Sequence, residues 1–494
     1  MRKIILFLLP AFFSFHISHA QLDINIPFSA DGLPGKNMTG YYQPGLGKII
    51  INTEHTNGIT HLFYDTALNL LMQYDMADGR TLIKNATKEF FLDKLSIQHM
   101  AFEVYAFADS AIIYKLDPEK AVDTKIASIK FRLKYADEQL IVAMPNDRGC
   151  NFLTVSLQNK KSIIYEWELQ QNTATIKEIE LPKSTLSKAE KKERGDFLEI
   201  KYKNLFYAVS ARHTNKPGLF QFPAPSQLFF NDTSIYILNK LAYEAGINVF
   251  KIDIAGGTAS STNYFLNKII TDSQAKYELV PVATVYDSLL IIQNSSPKTF
   301  EYYYYNIITG KEIARYETKP NNSLYSLVHS PLQQIGSFGS SGEEKELDNE
   351  KLFIKRKNSG FPFITPVLSG DSLVLTFGSL VPTQGAEGML LGFATMGFGM
   401  AAGIGVSIGD IRIIPYLTSS RNKFLYAHSK FSLKGLQPSM ANNVRTNLDD
   451  FLEDNKLRDL AKRNSVVIEL PGILYVGLYD KKTKKYTLTK FQQH

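Results

Sequence analysis

This sequence predicts an all-β fold assembled from repeated small sheets. Three observations lead there. Short strand-like runs fill most of the chain, a polar turn recurs at a loose period of forty to fifty residues, and amphipathic helical patterns are scarce before residue 440.

The strand-like runs include Lys48–Asn52, Gln139–Ala143, Leu205–Val209 and Leu289–Gln293, each rich in β-branched or aromatic residues and bounded by Gly, Asn, Asp or Ser. Asp followed by Ser or Thr precedes an apolar run at Asp109, Asp232, Asp287 and Asp371, where the carboxylate is expected to bond its own backbone and launch the strand. The recurring turn centres on Asp65, Asp117, Ser156, Asn204, Asp253 and Asn306, separated by 52, 39, 48, 49 and 53 residues. The next, Asp480, lies 174 residues on, so inserted material must intervene. Several short strands per unit at this period predict a β-propeller of six to eight blades, seven favoured. A four-stranded blade cannot bury both its faces alone, whereas blades set around an axis cover one another. The C-terminal strands Ile473–Gly477 and Tyr486–Thr489 are expected to close the ring against the first strands near Ile50. A pair of sandwiches or a β-solenoid is the alternative all-β arrangement. The expected organisation is a signal peptide at 1–20, an N-terminal extension at 21–47 and the propeller at 48–494, with an apolar glycine-rich insert at 383–410 and a helical insert at 440–464.

On these features the chain resembles exported bacterial β-propellers of the general WD-repeat, Kelch and YVTN-like kind, over roughly residues 48–380 and 465–491. It has no Trp-Asp dipeptide, its single Trp167 preceding Glu168, and no doubled-glycine Kelch signature.

Compartment is written at the N-terminus. Arg2 and Lys3 precede an apolar run, Ile4–Phe15, that is too short to span a bilayer, and Ser18 and Ala20 supply small residues before a cleavage point at Gln21. Export is expected, to the periplasm, the outer membrane or the exterior. Without the leader, 53 basic side chains face 48 acidic ones, with no concentrated basic face, which argues against nucleic acid. Cys150 is the only cysteine, so no intramolecular disulfide forms; it is expected to be inert, beside the turn Asn146–Gly149.

Other segments break the strand pattern. Lys183–Gly195 is expected to be a solvated loop, with Ser187 and Glu190 spaced as a capping box. Ser337–Glu350 is polar, then acidic. Its spacing matches no EF-hand, so an exposed loop is expected over a calcium site. From Asn442 to Asn464, Val444, Leu448, Phe451 and Leu452 share one helical face. Gly388–Gly409 is uncharged over 22 residues and holds seven glycines. Three roles stand open for it: an insert folded onto the propeller, a membrane-touching segment, or a docking surface for a protein. The candidate contacts are Met389, Leu390, Leu391, Phe393, Met396, Phe398, Met400 and Ile404.

Signatures of catalysis are sparse. There is no Walker lysine, no Gly-x-Ser-x-Gly elbow, no His-Glu-x-x-His and no paired Cys-x-x-Cys. Gly397–Gly403 and Gly403–Gly409 each carry three residues where a dinucleotide fingerprint has two, and no cofactor is expected. His55 and His61 flank Asn57-Gly58 and could face each other across a hairpin as a zinc pair, but no third ligand can be named, and ordinary strand-end histidines are expected. Glu103 and Asp109 are candidate carboxylates for glycoside hydrolysis, though Asp109 is better explained as opening a strand. In Glu301–Tyr305 four consecutive tyrosines could stack on sugars, but alternate side chains of a strand point to opposite faces, so blade packing is expected. The sequence thus points to a non-catalytic binding or scaffolding protein of the cell envelope, with a protein or glycan partner. A propeller-type glycan hydrolase with carboxylates in a central cleft is the alternative.

Overall fold

A computed structural model describes residues 21–24, 38–55, 58–86, 88–91, 100–107, 109–131, 135, 137–156, 158–180, 226–231, 233–240, 246–266, 281–296, 299–318, 323–335, 344–382, 422–440, 443–446, 465–470, 473–480 and 485–492. The leader at 1–20, Asn204, Leu205–Val209, Asp232, Lys183–Gly195, residues 447–464 and the whole of Gly388–Gly409 with its eight candidate contacts lie outside them.

The described residues form seven antiparallel sheets, six of four strands and one of five. The first strand of the chain, β1 (Gln21–Ile24), belongs to the last sheet. Blade I is β2 (Met38–Gln43), β3 (Lys48–His55), β4 (Gly58–Tyr64) and β5 (Leu70–Asp75), followed by helix α1 (Gly79–Asn85). Blade II is β6 (Lys88–Phe91), β7 (Ala101–Ala106), β8 (Ser110–Asp117) and β9 (Val122–Lys130). Blade III is β10 (Gln139–Pro145), β11 (Gly149–Ser156), β12 (Lys161–Glu168) and β13 (Thr175–Glu180). Blade IV is β14 (Ser226–Phe230), β15 (Ser234–Lys240), β16 (Gly246–Asp253) and β17 (Thr258–Phe265). Blade V is β18 (Val282–Tyr286), β19 (Leu289–Ser295), β20 (Phe300–Asn306) and β21 (Glu312–Glu317). Next come β22 (Gln333–Ile335), β23 (Glu344–Glu346), helix α2 (Glu350–Asn358), β24 (Phe361–Ser369), β25 (Ser372–Pro382) and β26 (Asn422–Ser432). They make blade VI in the order β24-β25-β26-β22-β23. Blade VII is β27 (Ser465–Leu470), β28 (Ile473–Asp480) and β29 (Lys485–Gln492), completed by β1.

Burial explains the arrangement. The middle strands β4, β7 and β11 are buried on both faces, while the fourth strands β5, β17 and β21 are largely exposed. Strands two-sidedly buried must face another sheet on each side, which a ring of blades provides. The alternation of the strands does the sorting. Ile49 and Ile51 pack with Ile468 and Tyr475 of blade VII, whereas Ile50 between them packs with Ala101 and Leu116 of blade II. One apolar cluster then runs through blades II, III and IV; others join IV to V and V to VI. Polar ties cross the same seams: Tyr475 OH donates to Thr66 O at 2.9 Å, and Tyr302 OH to Ser429 Oγ at 2.9 Å. The chain is a β-propeller. First and last strands meet, β1 pairing with β29 from Gln21↔Thr489 to Ile24↔Tyr486.

The recurring turn is real, and its physical basis is an Asp or Asn at the end of the third strand. Asp65, Asp117, Asp253 and Asn306 each accept backbone N–H groups of the following turn, for example Asn69 N to Asp65 Oδ1 at 2.8 Å and Gly256 N to Asp253 Oδ1 at 2.8 Å. Ser156 and Asp480 end second strands, so the spacing through them mixed two kinds of turn. The turns that launch second strands differ from expectation too. Asn231, one residue before Asp232, accepts the N–H groups of its turn, as Asn146 does in the turn before β11, while Asp287 adopts φ 52° in a two-residue turn.

Three further expectations change. Residues 21–47 are not wholly an extension, since β1 and β2 lie within them and belong to blades VII and I. The acidic stretch is only partly loop: Glu344–Glu346 is β23, and Glu350 opens α2, where its carboxylate binds Ser323 Oγ at 2.6 Å and Leu324 N at 2.7 Å. Residues 443–446 are irregular, Asn443 taking φ 62° and Val444 N donating to His329 O at 2.8 Å, because Val444 is drawn onto Val367 and Val374.

Candidate functional site

Antiparallel alternation decides where each connection emerges. Second-to-third and fourth-to-first connections leave one rim of the propeller; first-to-second and third-to-fourth turns leave the other. The second rim holds tight turns, the longest being 92–100. The first rim holds the described strand ends that flank the connections 25–37, 76–87, 181–225, 266–281 and 383–421. The links 318–332, 347–360 and 433–464 run between the two rims, because β22 is the fourth strand of blade VI though it precedes the first three in sequence. The sequence could not show this sorting, because strand direction within a blade is invisible until the strand order is known.

Carboxylates fix the ends of two fourth-to-first links on this rim, 76–87 and 131–138. Asp137 accepts Ser156 Oγ at 2.6 Å and Gln158 N at 2.7 Å, tying the fourth-to-first link before β10 to the β11–β12 turn. Beside it Glu138 Oε1, buried, accepts Thr154 Oγ1 at 2.6 Å and Tyr165 OH at 2.7 Å. Asp75 accepts Thr60 Oγ1, and Asp78, just ahead of α1, accepts Tyr114 OH of blade II at 2.7 Å. A rigid frame with anchored loops on one side is a platform for recognition.

Between blades I and II lies a fully buried polar seam. Glu103, in the middle of β7, accepts Tyr41 OH at 2.8 Å and Asn52 Nδ2 at 3.0 Å on one oxygen and Tyr105 OH at 2.9 Å on the other. Asn52 has spent its amide nitrogen on Glu103, so its Oδ1 accepts from His61 Nδ1 at 2.9 Å, which leaves the His61 Nε2 lone pair uncovered among the described residues. Burial holds the imidazole below its ordinary value of 6.5, against the upward pull of Glu103, Asp123 and Asp75. A second seam, between blades IV and V, holds Glu301. It accepts Asn294 Nδ2 at 2.9 Å and Arg315 Nη2 at 3.0 Å, and the guanidinium lies 5.0 Å from the Tyr303 ring centroid.

The sequence-derived candidates separate accordingly. The His55–His61 hairpin exists, but His61 stands opposite Asn52, and His55 opposite Gly58, so the two histidines do not face each other across it. The hairpin is two residues long, which shifts the register away from a facing pair. Glu103 is a buried structural acceptor, whereas Asp109 is exposed in the β7–β8 turn and accepts Ser110 Oγ at 3.1 Å. The tyrosines divide as alternation requires: Tyr302 and Tyr304 pack toward blade VI, Tyr303 and Tyr305 toward blade IV. Cys150 is buried in β11. Among the described residues no cluster of three His, Cys, Asp or Glu is placed to hold a metal ion, and no helix is long and apolar enough to cross a membrane. Asp137 and Glu138 went unnoticed in the sequence, where nothing distinguishes them from loop carboxylates.

No known family profile and no curated protein matches the chain. Among solved structures it is similar to a streptogramin B lyase, with a TM-score of 0.32 and 10% identity over 96% of this chain and 98% of that one. It is similar also to the WD40 domain of SCAP from fission yeast (TM-score 0.30, 8% identity, 94% and 89% covered) and to the Dos1 propeller (0.32, 8%, 91% and 90%). Likeness at this level adds nothing to the assignment, which rests on the strand order, and a propeller frame supports a binding or scaffold role in general.

Proposed function

We propose that the chain is a non-catalytic binding or scaffolding protein of the cell envelope, exported by its first twenty residues, that engages a protein or glycan through its loop-bearing rim. The observation that carries this is that the strand ends flanking the connections 25–37, 181–225, 266–281 and 383–421 share one rim, where Asp75, Asp78, Asp137 and Glu138 fix the neighbouring links 76–87 and 131–138. The glycine-rich stretch joins β25 to β26 on that rim, so Met389, Leu390, Leu391, Phe393, Met396, Phe398, Met400 and Ile404 are proposed as docking or membrane contacts. Replacing Gly388–Gly409 by a short Gly-Ser linker is the test. Loss of retention in the envelope fraction with an unchanged melting temperature supports the reading; full retention removes that stretch from it.

The hydrolase alternative draws support from one detail. Glu138 Oε2 is buried with no hydrogen-bond partner among the described residues, an unpaired carboxylate oxygen such as an acid or base in a glycosidase pair would supply. Turnover of an envelope glycan, abolished in Glu138→Gln, would replace the binding role by this one.

A further inference from the structure

Among the described residues, the outer strand of each sheet has no strand on its far side, and six of the seven carry a device that discourages pairing. β5, β9 and β21 each contain an irregularity in register against the third strand. β13 carries Lys177, Glu178 and Glu180; β23 is three charged residues; β1 is four residues long. β17 has none of these. It runs Thr-Ala-Ser-Ser-Thr-Asn-Tyr-Phe, eight residues with no charge, no proline and no glycine, in unbroken register with β16 from Asp253↔Thr258 to Gly246↔Phe265. Thr258, Ser260, Ser261, Thr262 and Asn263 are exposed, Phe265 is 57% exposed, and no described strand pairs on the outer edge.

We propose that β17 is the edge through which two copies of this chain pair, antiparallel, about a two-fold axis. An open backbone edge is a template for another strand, and the composition of β17 fits itself. An isologous pair sets a strand against its own reverse, so any charge near the axis meets its like. β13 or β21 would place lysines, glutamates or arginine there; β17 places hydroxyls and amides. With the axis at Thr262, that residue faces its own copy, Ser261 faces Asn263, Ser260 faces Tyr264, and Ala259 faces Phe265 of the second copy. A single eight-residue strand makes a small interface, so the dimer is concentration-dependent. It would present two loop-bearing rims, raising avidity for a repetitive partner.

The test is light scattering on the full chain over a hundredfold range of concentration. The expected mass rises from one copy toward two. Thr262→Lys, a charge at the proposed axis, is expected to hold the mass at one copy throughout, while Thr175→Lys on β13 leaves the dimer intact. Both variants keep the wild-type melting temperature, which excludes misfolding as the cause. A wild-type mass of one copy at every concentration overturns the proposal, as does a dimer that survives Thr262→Lys. So does a monomer that binds an extended peptide at this edge.

Discussion

Glu103→Leu is expected to cost about 3–5 kcal/mol of stability, the range for removing one partner from a buried charged network. The figure follows from the three donors, Tyr41 OH, Asn52 Nδ2 and Tyr105 OH, that share this carboxylate at 2.8–3.0 Å with no solvent exposure of the glutamate. A hydrogen bond to a charged acceptor contributes about 1.5–3 kcal/mol. Three of them overshoot the net loss, because deleting the carboxylate also removes its desolvation cost. Glu103→Gln keeps the shape and one carbonyl oxygen, which can still accept from Tyr41 and Asn52, so it should cost about 1–2 kcal/mol. Chemical denaturation followed by circular dichroism and by Trp167, the single tryptophan, buried in blade III, reads both variants. Glu103 belongs to blade II and Tyr41 and Asn52 to blade I, so the loss is one of inter-blade packing. A Leu variant within about 1 kcal/mol of wild type, or a Gln variant worse than Leu, refutes the reasoning.

The remaining expectations concern the same seams. His61 is held below its ordinary value of 6.5 by burial, so the unfolded chain takes up a proton that the folded one refuses. Its contribution is complete above pH 6.5 and is lost as pH falls from there toward the folded value, so His61→Gln should lessen the drop in melting temperature between about pH 7.5 and about pH 5.5. An equal drop in the variant contradicts this. On β20, Tyr302→Phe removes the 2.9 Å bond to Ser429 Oγ and should cost about 1 kcal/mol. Tyr304→Phe removes a buried hydroxyl with no partner among the described residues and should be neutral or slightly stabilising, as urea midpoints of the pair will show.

Much of the fold was legible along the chain. Strand runs at Lys48, Gln139 and Leu289, and the Asp or Asn that closes the third strand in blades I, II, IV and V, are local features set by backbone sterics and short side-chain acceptors. They show in sequence because they depend on neighbours a few residues away. The turn spacing misled where Ser156 and Asp480, which close second strands, entered the same count as Asp65 and Asp253. The acidic stretch misled because the grip of Glu350 on Ser323 joins residues 27 apart in sequence, which local pattern does not connect.

Strand alternation determined, from sequence alone, that four adjacent tyrosines must divide between two faces, and the strand runs with their recurring turns favoured a ring of small sheets over a sandwich pair or a solenoid. Only the tertiary structure decided which polar groups meet inside. Glu103 lies 62 residues from Tyr41 and 51 from Asn52, and they form one network because blades I and II happen to face each other there. The gathering of long connections on one rim and the unprotected edge of β17 belong to the same category. Both follow from strand order and direction, which are properties of pairing between strands rather than of any strand read singly.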